Sequence, residues 1–214
     1  MIIDRDVAVP TDDGTVLRAD VYRPDTTEPV PVLMTLGPYG KGVQYKDGYA
    51  PQWDWLVTTH PGILPGSTRA YMAWETVDPE TWVPWGYAVV RVDSRGAGRS
   101  PGRLDIMSPR EVRDYYDAIE WAGIQPWSSG KVGLIGISYY AINQWLVASL
   151  QPPHLAAMVP WEGAADFYRD WGPPVRRNSP MRSSSPTAVT QSPISSHTNS
   201  TAPSTATARP TGRR

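Results

Sequence analysis

Between residues 131 and 150 the sequence changes its hydrophobic period once, and it does so at a serine. The apolar run Lys131 to Ile135 leads into Gly136-Ile137-Ser138-Tyr139-Tyr140-Ala141, and an amphipathic stretch follows. This order predicts a strand, a sharp turn and a helix. A strand that turns directly into a helix belongs in an open sheet covered by helices, so the six residues constrain the whole chain. They also have the pattern of a nucleophile elbow, in which the turn lifts a serine hydroxyl clear of the backbone. Ser138 is therefore the expected centre of the chemistry, and a base is required to take its proton.

The rest of the body fits the same architecture. Arg5 to Val9 and Val16 to Tyr22 flank Thr11-Asp12-Asp13-Gly14, a hairpin with its turn at Asp-Gly. Val32 to Leu36, Tyr87 to Val92, Val132 to Ile135 and Leu155 to Val159 are short apolar runs, the pattern of a mostly parallel sheet. Ser108-Pro109-Arg110-Glu111 is a capping box with proline at the first helical position, and Val112, Tyr115, Tyr116, Ile119 and Ala122 recur at helical spacing after it. After the serine, Ile142, Trp145, Leu146, Ser149 and Leu150 form the expected apolar stripe of a second helix, ended by Pro152-Pro153.

Composition breaks after Trp171. From Gly172 to Arg214 there is no Asp, Glu, Lys, Leu, Phe, Tyr or Trp, and such a Ser/Thr/Pro/Arg-rich segment is expected to be a disordered tail outside the 1–171 domain. Six of the 20 basic residues and none of the 21 acidic ones lie there, leaving the body at −7 and the tail at +6. A flexible extension and a reading frame disrupted near Trp171 both explain the break. The sequon Asn199-Ser200-Thr201 would matter only in a secreted chain. With a formal net charge of −1, the chain has no basic field to draw it to nucleic acid or a membrane surface. Cysteine is absent, so disulfides and thiolate ligands are excluded, and no cluster of His and carboxylates has metal-ligand spacing. No cofactor is implied. The N-terminus lacks signal-peptide regions and no apolar run reaches spanning length, so a cytoplasmic location is expected.

A second signal lies upstream, Asp93-Ser94-Arg95-Gly96-Ala97-Gly98-Arg99-Ser100, directly after its own strand. Gly96-Ala97-Gly98 alone could be read as a phosphate loop, but a Walker lysine is missing. Together with Gly37-Pro38-Tyr39-Gly40-Lys41, Gly136-Ile137-Ser138-Tyr139, Asn143-Gln144 and Pro160-Trp161-Glu162-Gly163, it resembles the cocaine esterase and X-prolyl dipeptidyl peptidase family of α/β-hydrolases, also called the CocE/NonD hydrolases. The resemblance runs from Ile2 to about Trp171. The tyrosine directly after the serine separates this family from most α/β-hydrolases, whereas Ala141 stands where a glycine is usual. The resemblance implies a partial α/β-hydrolase fold, cleavage of small ester, amide or X-Pro dipeptidyl substrates through an acyl-enzyme on Ser138, and an oxyanion held by the Tyr139 backbone N–H and the Tyr39 hydroxyl.

Three expectations qualify this reading. The Trp-rich stretch Tyr45 to Trp85 either walls a pocket beside Ser138 or builds a local core. Family order places the triad acid and histidine on later strands, and no residue here occupies those positions: Glu162, Asp166 and Asp170 come too early, and His60, His154 and His197 lie in the insertion, a turn and the tail. The last strands, the helical cap and the C-terminal β-sandwich of the family are likewise expected to be missing. That exposes a sheet edge for self-association, and it makes a truncated, catalytically inactive remnant or interaction fragment the alternative to an active hydrolase.

Overall fold

A computed structural model describes residues 1–63, 65–166 and 169–170, so the proposed tail, with His197 and the sequon, lies outside the described residues. Among the described residues six strands form one mixed sheet: β1 (Ile2–Pro10), β2 (Val16–Arg23), β3 (Val30–Gly37), β4 (Ala88–Asp93), β5 (Ser128–Ile137) and β6 (Leu155–Trp161). They lie in the order β1-β2-β4-β3-β5-β6. The β1–β2 hairpin runs antiparallel to β4, whereas β4, β3, β5 and β6 are mutually parallel. The carboxyl ends of the four parallel strands therefore share one edge, where loops can converge on a site.

The alternation of β4 shows how the two faces are used. Ala88, Val90 and Val92 join the main core with Tyr115, Ala118, Ile119 and Ala122 of the helix α4 (Pro109–Gly123). Val89 points the other way and packs with Tyr22, Val83, Tyr71 and Trp82. Arg91 donates to the carbonyls of Tyr71 and Val77 at 2.7 Å each, pinning residues 45–85 to the sheet. That insertion contains α1 (Tyr45–Gly48), α2 (Ala50–Thr59) and α3 (Pro79–Trp82). Its helices carry no regular apolar period, which is why the sequence marked only an aromatic-rich connection.

Two expected details differ. Ser108 caps α4 by accepting from Glu111 N, but the Glu111 carboxylate does not complete a capping box; it accepts from Met107 N and turns inward. In α5 (Tyr139–Ala148) the expected stripe is displaced: Trp145 and Leu150 are exposed, and Tyr140, Ile142, Asn143, Gln144 and Val147 are buried. The amides go inside because they find partners there. Asn143 donates to Leu36 O at 2.7 Å and Gln144 to Tyr140 O at 2.6 Å. β6 is the last strand of the described sheet, and Val159 and Trp161 are exposed on it. Among the described residues no helix is long and apolar enough to cross a membrane.

An ionic network ties the hairpin turn to α4. Arg95 grips Asp114 through Nε and Nη2, each at 2.8 Å, and reaches Asp13 at 3.0 Å, while Arg110 pairs with Asp12 and Asp114. Asp114 is fully buried, so Arg95→Met should leave a poorly compensated charge and cost about 2–4 kcal/mol. A urea titration should show the midpoint fall with an unchanged m-value. The hydrogen bond from Arg110 holds Asp12, and that from Arg95 holds Asp13, below the ordinary carboxylate range. Their contribution is thus complete above about pH 4 and is lost as acid protonates them, which a pH series of melting temperatures will read.

Candidate active site

Ser138 follows β5 with φ 56° and ψ −114°, a backbone region costly to a residue with a side chain. Surrounding structure holds it there. Its N–H donates to Trp161 O at the end of β6, its carbonyl accepts from Ala141 N and Ile142 N, and the preceding Ile137 N–H donates to Glu75 O. Steric space is set by glycine. A Cβ on Gly136 or on Gly37 would fall against Tyr140, the first on its Cβ and the second on its ring. Ala141 is fully buried, and a Cβ on Gly163 would stand 2.7 Å from its methyl group. Helix α5 and the segment after β6 come close because the glycine stands on that segment, at Gly163, opposite Ala141.

Tyr139 opens α5, so its N–H has no intrahelical acceptor and emerges beside Ser138. Its phenol donates to Glu111, which also accepts from Ser94 Oγ at 2.7 Å. Burial, reinforced by Glu111, raises the Tyr139 pKa far above its ordinary value. This use of Glu111 was hidden in the sequence behind its capping pattern. Tyr39, at the end of β3, stands edge-on to Tyr139 and Tyr140 with ring centroids 6.0 and 5.6 Å apart. Its ring is about one-third exposed, and burial followed by the Glu75 charge raises its pKa. The structure thus brings Tyr39, Ser138 and Tyr139 to one edge of the sheet.

The Gly96-Gly98 turn already holds an anion of its own. Asp93 Oδ2 accepts from Arg99 N at 2.8 Å, and Gly98 lies so close to this carboxylate that it has no room for a side chain. Of the amides that might have cradled phosphate, that of Arg99 holds this carboxylate, and those of Gly96, Ala97 and Ser100 donate to backbone carbonyls.

The histidines lie elsewhere. His154 immediately precedes β6, with Nδ1 2.7 Å from Glu120 Oε2. Because β5 and β6 are parallel, with Val132 opposite Leu155 and Ile137 opposite Trp161, His154 is about 20 Å along the sheet from Ser138. His60 packs edge-on against Trp55. Asp166 and Asp170 accept local backbone N–H groups, and Glu162 is exposed. Among the described residues no group of three or more His, Cys, Asp or Glu is arranged to hold a metal.

The insertion aromatics form a packed wall. Tyr49 stacks on Trp74 at 4.1 Å, and Tyr45 meets Tyr49, Trp53 and Trp74. A cavity of about 10 Å³ remains between this cluster, Tyr39 and Tyr140; Tyr45, Tyr49, Trp53 and Trp74 are half-buried, and Trp55 and Trp85 are exposed. Glu75, next to Trp74, carries a buried Oε2 without a protein partner, and burial raises its pKa. A far larger cavity, about 790 Å³, lies at the opposite end of the sheet, where β3 begins at Val30.

Comparison with known proteins agrees with this fold. The profile of the X-Pro dipeptidyl-peptidase (S15) family matches residues 13–207, a range that continues past Trp171. A cocaine esterase of Rhodococcus is 32% identical over 166 residues, covering 76% of this chain and 24% of the esterase. The crystal structure of a CocE/NonD family hydrolase from Staphylococcus aureus superposes with a TM-score of 0.68 at 43% identity, over 79% of this chain and 29% of that one. An α-amino acid ester hydrolase shares the fold, with a TM-score of 0.55 at 21% identity over 78% of this chain and 26% of that one. The chain thus spans about a quarter of the length of the relatives it matches.

Substitutions at two places test the site's construction. Gly163→Ala should cost about 1–3 kcal/mol by overpacking against Ala141, and adding Ala141→Gly should recover part of it; urea unfolding of both reads the difference. For Glu75, a raised carboxyl pKa means that the ionised form weakens the fold at neutral pH and that this penalty vanishes once acid protonates the group. Glu75→Gln should therefore raise the melting temperature by about 1–2 °C at pH 7 and leave it unchanged near pH 4.

Proposed function

The chain belongs to the S15 family of X-Pro dipeptidyl-peptidases and CocE/NonD hydrolases, and on that premise we propose that it carries the nucleophile and oxyanion site of a serine hydrolase. Ser138 is the nucleophile, the Tyr139 backbone N–H and the Tyr39 hydroxyl are the oxyanion donors, and the substrates are small esters or amides, X-Pro dipeptidyl compounds included. The observation that carries this reading is the turn at Ser138. A strained serine that ends a parallel strand and opens a helix sets its hydroxyl at the sheet edge, next to an unpartnered helix N–H.

The chemistry follows from that placement. Ser138 Oγ bonds to the substrate's carbonyl carbon as a base takes its proton, and the carbonyl π electrons move onto oxygen. The two donors meet that developing charge, where one such donor contributes about 3–4 kcal/mol. Collapse of the intermediate expels the alcohol or amine, which takes up a proton, and water then releases the acid from the serine ester. A second reading, a catalytically silent domain of the same family, is favoured by the histidines: His154 is bound to Glu120 at the far end of the sheet, and His60 packs on Trp55.

Intact-mass detection of fluorophosphonate labelling separates the two. The hydrolase reading expects one phosphonyl adduct, absent in Ser138→Ala and formed about 100-fold more slowly in Tyr39→Phe. Parallel assays with a p-nitrophenyl ester and an X-Pro p-nitroanilide then distinguish ester from peptide preference. A folded sample that does not label overturns the nucleophile assignment and leaves the silent domain.

A further inference from the structure

Lys41 lies two residues beyond Tyr39, and its side chain is almost wholly buried, with 4% of its surface exposed. Its ammonium nitrogen lies 2.6 Å from Asp6 Oδ1, 3.1 Å from Asp20 Oδ1 and 3.6 Å from Asp93 Oδ2. Arg5 completes the cluster through Asp20. A buried cation among three carboxylates is a costly way to stabilise a fold, because well-packed apolar residues often do as well. Its position explains it better than its stability does.

Asp93 has both oxygens engaged by loops that converge on the site. Oδ1 accepts from Lys41 N at 2.6 Å, and Oδ2 accepts from Arg99 N at 2.8 Å. The turn that carries Tyr39 is therefore clamped on both sides: Gly37 O accepts from Ser94 N at 3.0 Å before it, and Lys41 N donates to Asp93 after it. Between these points Gly40 takes φ 86°, a left-handed conformation that suits glycine. With both ends fixed, the remaining freedom of Tyr39 is its side-chain torsion, and the Tyr139 and Tyr140 rings limit that.

We propose that Lys41 is a positioning residue: by neutralising Asp93 and anchoring to Asp6 and Asp20 of the β1–β2 hairpin, it fixes the turn that aims the Tyr39 hydroxyl at the oxyanion. This deepens the hydrolase reading and rests on it for the role of Tyr39. Precision is what such an anchor supplies, since a misplacement of about 1 Å in a catalytic group costs on the order of 100-fold in rate. Lys41 itself touches no reacting atom in this scheme.

The test uses protein labelled with 3-fluorotyrosine, the Tyr39 resonance being assigned by its loss in Tyr39→Phe. In Lys41→Met, and in the milder Asp6→Asn, that resonance should shift or broaden while the resonance of core Tyr115 stays in place. Fluorophosphonate labelling should slow by at least tenfold in Lys41→Met, and the loss should disappear in the Tyr39→Phe background, since the two substitutions act through one group. An unmoved Tyr39 resonance in folded Lys41→Met or Asp6→Asn overturns the proposal, and so does a rate loss that persists without the Tyr39 hydroxyl. Should Lys41→Met not fold, Asp6→Asn carries both readouts. If the unsubstituted protein does not label at all, the nucleophile assignment fails, and the fluorine spectrum still decides whether Lys41 positions Tyr39.

Discussion

The Tyr140 side chain lies where Cβ atoms on Gly37 and Gly136 would stand, and the geometry of the serine turn depends on that fit. Gly37 ends β3 and Gly136 is the penultimate residue of the neighbouring parallel strand β5, so removing two side chains opens one slot at the edge of the sheet. Filling the slot draws the first turn of α5 down against β3 and β5. Ser138 is then forced through a left-handed bend between a strand and a helix that are both fixed. The strain of that bend, about 1–3 kcal/mol for such a residue, is sustained because the neighbours leave it no alternative.

Two buried carboxylates organise what surrounds the bend. Asp93 joins the Tyr39 turn to the Gly96-Gly98 turn, and Glu111 joins Tyr139 to Ser94 and Met107. Each meets the requirement that a buried polar group be paired, and each does so with partners from different segments of the chain. As a result the loops at the carboxyl edge of the sheet are tied to one another and to the helices behind them. Three of the segments that carry the family resemblance, residues 37–41, 93–100 and 136–139, are brought together by these two carboxylates and the two glycines.

The placement of the histidines follows from topology. In a parallel strand pair one edge collects the carboxyl ends and the other the amino ends, so a residue just before β6 stands far from a residue just after β5. His154, sixteen residues beyond Ser138 in sequence, is consequently bound at the opposite edge, and sequence proximity says nothing about reach.

The hairpin, the four parallel strands and the capped helix α4 were legible because their signals are local: period, turn residues and a cap each act within a few residues. The elbow was legible for the same reason, since a strand, a glycine, a serine and a helix follow one another directly. The buried face of α5 was not legible, because Asn143 and Gln144 look solvent-facing until Leu36 and Tyr140 supply carbonyls for them. Nor were the helices of the insertion, whose aromatics pack on one another without a helical period. Glu111 read as a cap and Lys41 as part of a motif, and each acquired its partners only when β4, α4 and the hairpin met. By itself, then, the sequence determined which residues could do chemistry, because a turn and a nucleophile are written in adjacent positions. Tertiary structure alone decided which groups stand around them, because hydrogen bonds and ion pairs join atoms close in space whatever their separation along the chain.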